Sequence, residues 1–110
     1  MTLEPRWVPE GIEDLQGGYD WYDEREPGLG QQLAVETFEV LDQAVRHPFA
    51  PKRYEHPKLP AEPAVRKVQL RRFSEYGLVY TVVNGTFWVV AVAHAKRRPG
   101  YWVDRLKKLR

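Results

Sequence analysis

Hydrophobic residues recur at helical intervals in the first half of the chain and in alternation in the second. Ile12, Leu15, Tyr19 and Tyr22 are spaced by three or four and predict one apolar helix face. Pro9 suits the first turn, where its missing N–H costs nothing, and Glu10, Glu13 and Asp14 favour the positive helix start. Gly17 and Gly18 interrupt the pattern, and close packing against the next helix is the expected reason. Pro27-Gly28-Leu29-Gly30 then breaks the helix and turns the chain. A second helix is expected from about Gly30 to His47, stopped by Pro48, with Leu33, Ala34, Phe38, Leu41, Ala44 and Val45 as its apolar stripe. Two amphipathic helices on a short connection form an antiparallel hairpin.

Residues 48–64 carry five prolines and read as a connection, long enough to suggest function or mobility. Leu3 to Val8 is expected as a short edge strand, because an edge tolerates Pro5. Val65 to Arg71 alternates, placing Val68 and Leu70 on one face with Arg66. Gly77 to Val83 should pair with Thr86 to Ala93 across Asn84-Gly85, a strong hairpin signal. The predicted fold class is therefore α+β, in the order β-α-α-β-β-β. The helical hairpin packs on one face of an antiparallel sheet, the other face stays open, and a short helix follows Pro99.

Length and composition narrow the class. The 110 residues fit a single domain, 1–110, and 43% hydrophobic with 29% charged residues is ordinary soluble globular usage. Cysteine is absent, which excludes disulfides and thiolate metal sites and agrees with a reducing cytoplasm. The start Met1-Thr2-Leu3-Glu4-Pro5-Arg6 lacks the features of a signal peptide. No apolar run approaches the roughly 18 residues of a membrane span. The expectation is a cytoplasmic protein with no membrane partner. His47, His56 and His94 lack ligand spacing, so neither a metal nor a cofactor is expected.

Charge is divided unevenly. Residues 1–45 hold eleven acids against two bases, and residues 46–110 hold fifteen bases against four acids. If the halves form separate faces, one is a basic footprint for nucleic acid or an acidic partner; otherwise they neutralise each other across the fold. The chemistry concentrates from Phe87 to Arg105. There a buried strand runs into His94, Lys96, Arg97, Arg98, Tyr101 and Trp102, cations and aromatics suited to phosphate. Plainer roles stand beside this one. His94 could cap the strand, Tyr101 and Trp102 could pack on the helices, and Arg66, Arg71 and Arg72 could dock a protein partner. Lys107-Lys108-Leu109-Arg110 reads as a solvated tail.

Three segments together resemble a known family. They are Tyr19-Asp20-Trp21-Tyr22-Asp23-Glu24-Arg25-Glu26-Pro27-Gly28-Leu29-Gly30, the stretch from Arg71-Arg72-Phe73 to Tyr80, and His94-x-x-Arg97-Arg98-Pro99-Gly100-Tyr101-Trp102. They are similar to the RelE/ParE superfamily of toxins from bacterial type II toxin–antitoxin systems, whose fold has the element order read above. The resemblance implies a growth-inhibiting toxin neutralised by a cognate antitoxin. It implies one of two activities: RelE-like members cut mRNA in the ribosomal A site, and ParE-like members inhibit DNA gyrase. For cleavage, Arg97 matches the arginine that stabilises the phosphate, Tyr101 approximates a tyrosine slightly further on, and His94 would be acid or base. Arg71 or Arg72 would stand for basic residues of the preceding strand. The candidate catalytic set is thus Arg97, Tyr101, His94 and Arg72, with Arg66, Arg71, Lys96 and Arg98 contacting nucleic acid or target. Gly77 departs from the pattern, because many ribonuclease members carry an arginine there. A non-toxic nucleic-acid-binding module, or an inactive relative, is the alternative.

Overall fold

Asn84 and Gly85 both adopt left-handed backbone conformations, with φ of 49° and 76°, and form the two-residue turn on which the sheet is built. The computed structural model describes residues 3–109. Its elements are β1 (Pro5–Trp7), α1 (Pro9–Arg25), α2 (Leu29–Arg46), β2 (Val65–Gln69), β3 (Tyr76–Val83) and β4 (Thr86–His94), followed by a 3-10 helix, Val103–Lys108. The sheet order is β1-β4-β3-β2, antiparallel except that β1 runs parallel to β4. Tyr80 faces Val89 whereas Val79 faces Ala91, so Val90 is an extra residue in β4. The bulge lets Val90 and Ala91 both pack on the side away from the helices.

On the helix side, Leu33, Leu41 and Val45 of α2 meet Leu78, Tyr80, Phe87, Val89 and Val92 in one core. The helical hairpin is tight for stated reasons. Gly28 takes φ of 91°, where a side chain is strained, and the Asp23 carboxylate accepts the Gly28 and Gly30 N–H groups at 2.9 and 3.1 Å. A Cβ on Gly30 would lie 2.3 Å from the Tyr19 carbonyl oxygen, so α1 and α2 cross with backbone against backbone. At Gly18 the expected close packing is present: a Cβ would lie 2.8 Å from the Tyr76 hydroxyl and 2.9 Å from Leu33. At Gly17 it is not, since nothing lies within 4 Å. The helix runs through both glycines without a break.

Two stripe residues are corrected. Ile12 and Phe38 are more than half exposed, and Gly11 and Thr37 take the buried positions beside them. Gly11 lets α1 approach the β4 carbonyls, which rolls Ile12 outward, while Phe38 rests against Trp7 with ring centroids 5.9 Å apart.

The expected open sheet face is closed. Val65, Val79, Val90, Ala91 and Ala93 form a second apolar floor, covered by Tyr54 and Leu59 of the proline-rich connection and by Trp102 and Leu106. The small side chains of Ala91 and Ala93 leave room that Trp102, 2% exposed, fills. The connection itself is tied down at three points. Tyr54 N–H donates to the Val65 carbonyl, Thr81 Oγ1 to the Ala64 carbonyl and the Tyr80 hydroxyl to the Pro48 carbonyl, each at 2.7 Å. The expected tail is also corrected in part. Lys107 and Lys108 belong to the terminal helix and Leu109 packs on the second core, while Arg110, with Met1 and Thr2, lies outside the described residues. No helix among the described residues is long and apolar enough to cross a membrane.

Candidate functional site at the seam of α1 and β4

β1 covers the outer edge of β4 only from Phe87 to Val89. Beyond that point the edge would expose unpaired backbone groups, and an ion pair closes it. Asp14 Oδ2 accepts the Val92 N–H at 3.1 Å, and Arg105 Nη1 donates to the Val90 carbonyl at 3.0 Å. Arg105 also grips Asp14 with both terminal nitrogens, at 2.7 and 3.2 Å. Both side chains are largely buried, 5% exposed for Asp14 and 12% for Arg105. Burial works against the Arg105 charge, but the hydrogen bonds and charge of Asp14 outweigh it and raise its pKa above the ordinary arginine value.

Around this pair the predicted residues gather. The Arg97 guanidinium stacks 3.8 Å from the Tyr101 ring centroid and reaches 3.5 Å from Asp14 Oδ1, with Arg105 5.1 Å from the same ring. The buried Tyr101 hydroxyl faces Asp14 but makes no hydrogen bond of ordinary geometry. Burial first, then the Asp14 charge, pushes its pKa up to about 12 against the opposing pull of Arg97 and Arg105. His94 Nδ1 accepts the Lys96 N–H at 3.0 Å, which leaves Nε2 to donate to Glu75 Oε2 at 3.1 Å. Tyr76 meets the His94 ring edge-on at 4.7 Å. The cleft is lined as well by Glu10 and Glu13, and Lys108 pairs with Glu10. That hydrogen bond lowers the Glu10 pKa.

Charge in the cleft is therefore compensated. Acids from the N-terminal half meet bases from the C-terminal half here, and the expectation of a separate basic face fails at this seam. The physical reason is burial: Arg105 enters a low-dielectric edge only with a carboxylate beside it.

Of the four candidate catalytic residues, Arg97, Tyr101 and His94 share this cleft, and Arg72 does not. Arg72 sits in the β2–β3 loop, where Glu36 of α2 accepts the Arg72 and Phe73 N–H groups at 2.9 and 3.0 Å. Arg71 borders a groove between α2 and β2, and Arg66 lies further along β2 beside Phe49. Lys96 and Arg98 are exposed in the turn after β4. The Gly77 position is occupied in effect by a neighbour, since a Cβ there would lie 2.6 Å from Lys67 Cε. Among the described residues no group of three His, Cys, Asp or Glu side chains is placed to hold a metal ion.

Asp14, expected only to favour the helix start, lies beyond the first turn and serves the β4 edge instead, and neither Arg105 nor Glu75 is among the expected site residues. Asp14 did carry a signal: it lies on the same helical face as Gly11, Leu15 and Gly18, where a charge needs a partner. Arg105, 91 residues away, offered none.

No protein-family model and no curated protein matches the chain. Among solved structures, a chain of the chromosomal ParDE TA system from P. aeruginosa is similar in fold, with a TM-score of 0.68 at 18% identity over 84% of this chain and 96% of that one.

Proposed function

We propose that this chain is the toxin of a type II toxin–antitoxin pair, held inactive in the cytoplasm by a cognate antitoxin, and that it inhibits its target by contact. DNA gyrase is the target class this reading favours, as for ParE-like toxins. The three matching segments and the fold shared with a ParDE chain support the first part.

The observation that carries the second part is the engagement of Arg97 and Arg105 by Asp14. Cleavage by 2′-OH attack needs a base, a free cation for the phosphorane charge and an acid for the leaving oxygen. Here the best cation is shared with a carboxylate, and the Tyr101 phenol is buried with its pKa up to about 12. Arg72 is elsewhere, and the sheet face away from the helices is filled by Tyr54, Leu59, Trp102 and Leu106. A contact inhibitor requires none of these groups to react.

A second reading, ribosome-dependent mRNA cleavage, is favoured by one feature: His94 and Glu75 form an oriented pair beside Arg97. The two are separated by expressing the chain alone. Contact inhibition predicts growth arrest that survives Tyr101→Phe and His94→Gln and is relieved by the product of an adjacent reading frame. Arrest lost in both variants, with codon-phased mRNA cuts by the parent chain, is the ribonuclease result.

A further inference from the structure

On the opposite edge of the sheet, Arg53 of the connection and Arg66 of β2 stand directly across from each other in an isolated antiparallel bridge. Side chains so paired project to one face, and like charges there destabilise the pairing. Both guanidiniums are nonetheless fixed. Arg53 donates Nη2 to the Ala61 carbonyl, and Arg66 donates Nε to the Pro51 carbonyl at 2.8 Å. A carbonyl orients a guanidinium without neutralising it. Among the described residues, the carboxylate paired with either is Glu62, 3.9 Å from Arg53 and 80% exposed. Beside them Phe49 is 66% exposed, with the Arg66 guanidinium 5.4 Å from its ring centroid. Two oriented guanidiniums with one weak, exposed carboxylate partner thus stand next to an exposed aromatic ring.

We propose that Arg53, Arg66 and Phe49 form a nucleotide site in which a phosphate bridges the two guanidiniums and the base stacks on the Phe49 ring. Arginine forks match phosphate oxygens, and any base offers a π-face to an aromatic side chain. A carboxylate-rich peptide would meet the guanidiniums but supplies no ring for Phe49. Glu36, Glu39 and Asp42 also line the adjoining groove with Ala50 and Pro51, and repel a long acidic chain. The ligand is therefore short at this point: a free nucleotide, or the end of a strand. The site lies on the far sheet edge from Asp14 and stands apart from the contact-toxin reading.

The test is a titration of the isotope-labelled chain with AMP, with a short single-stranded oligodeoxyadenylate and with polyglutamate, following backbone amide shifts. Saturable shifts centred on Phe49, Arg53 and Arg66 are expected. Arg53→Gln and Phe49→Ala should each weaken nucleotide affinity by at least about tenfold. Both positions are exposed, so an unchanged melting temperature separates lost ligand from lost fold; Arg53→Lys, which keeps the charge, should recover part of the loss. Equal affinity for AMP and the oligonucleotide identifies a free nucleotide, and binding of the oligonucleotide alone identifies a strand. Absence of saturable shifts at these residues, polyglutamate binding tighter than either nucleotide probe, or indifference to Phe49→Ala overturns the proposal.

Discussion

Among the described residues, Asp14 gathers more polar partners than any other carboxylate. It satisfies the Val92 N–H, both terminal nitrogens of Arg105 and part of the charge on Arg97. Asp14→Ala strands a nearly buried guanidinium and an edge N–H, and should lower unfolding stability by about 3 kcal/mol in a denaturant titration. Arg97→Ala should cost less than about 1 kcal/mol, because that side chain is half exposed. The contrast is the check: equal losses would mean the pair with Arg105 is not the anchor. Tyr101 gives a pH prediction. Its folded pKa of about 12 exceeds the ordinary 10, so the folded state keeps a proton that the unfolded state releases. The stabilising contribution is complete below pH 10 and fades as pH rises towards 12. Tyr22, Tyr76 and Tyr80 shift the same way, chiefly through burial, so Tyr101→Phe should shallow the alkaline loss of stability without abolishing it. At neutral pH the same change should be within about 1 kcal/mol of neutral, since the hydroxyl it removes makes no hydrogen bond of ordinary geometry.

At the scale of elements, the helical hairpin and the β3–β4 hairpin were legible because each depends on local rules. Helical spacing marks α1 and α2, and Asn84-Gly85 with its positive φ values marks the turn. The cover of the second sheet face was not legible. Tyr54, Leu59, Trp102 and Leu106 are single residues in segments without periodicity, and the Val90 bulge with small Ala91 and Ala93 completes the floor of Val65 and Val79 that they cover. The proline-rich connection likewise looked loose because its anchors are backbone carbonyls, which carry no sequence signature. The two adjacent glycines of α1 distinguish packing from propensity. Gly18→Ala places a methyl against Tyr76 and Leu33 and should destabilise by about 1–3 kcal/mol. Gly17→Ala meets nothing and should stabilise by up to about 1 kcal/mol. Thermal melts of the two variants should move in opposite directions. Trp102→Ala should cost about 3–5 kcal/mol and expose dye-binding apolar surface, showing that the C-terminal segment is core.

Across the whole molecule, the charge division read from the sequence is cancelled at the α1–β4 seam and kept only in part on the β2 side, where Glu36, Glu39 and Asp42 share a groove with Arg71. Arg53, Arg66 and Arg71 remain accessible on one sheet edge, while Glu10 and Asp14 absorb Lys108, Arg97 and Arg105 on the other. Charge counted along a chain does not say which acids and bases fold together, and here two of the acids sit on the helix that packs against the basic terminus. The consequence is functional: three of the four residues that looked like a ribonuclease set line the cleft around the buried Asp14–Arg105 pair, and Arg97 shares its carboxylate. The gyrase reading is tested most directly by adding the purified chain to DNA gyrase and relaxed plasmid and measuring supercoiling. Contact inhibition predicts dose-dependent loss of supercoiling, retained in the Tyr101→Phe, His94→Gln double variant. Full gyrase activity at a saturating concentration of the chain, with codon-phased cleavage of mRNA in a translating extract, would contradict it.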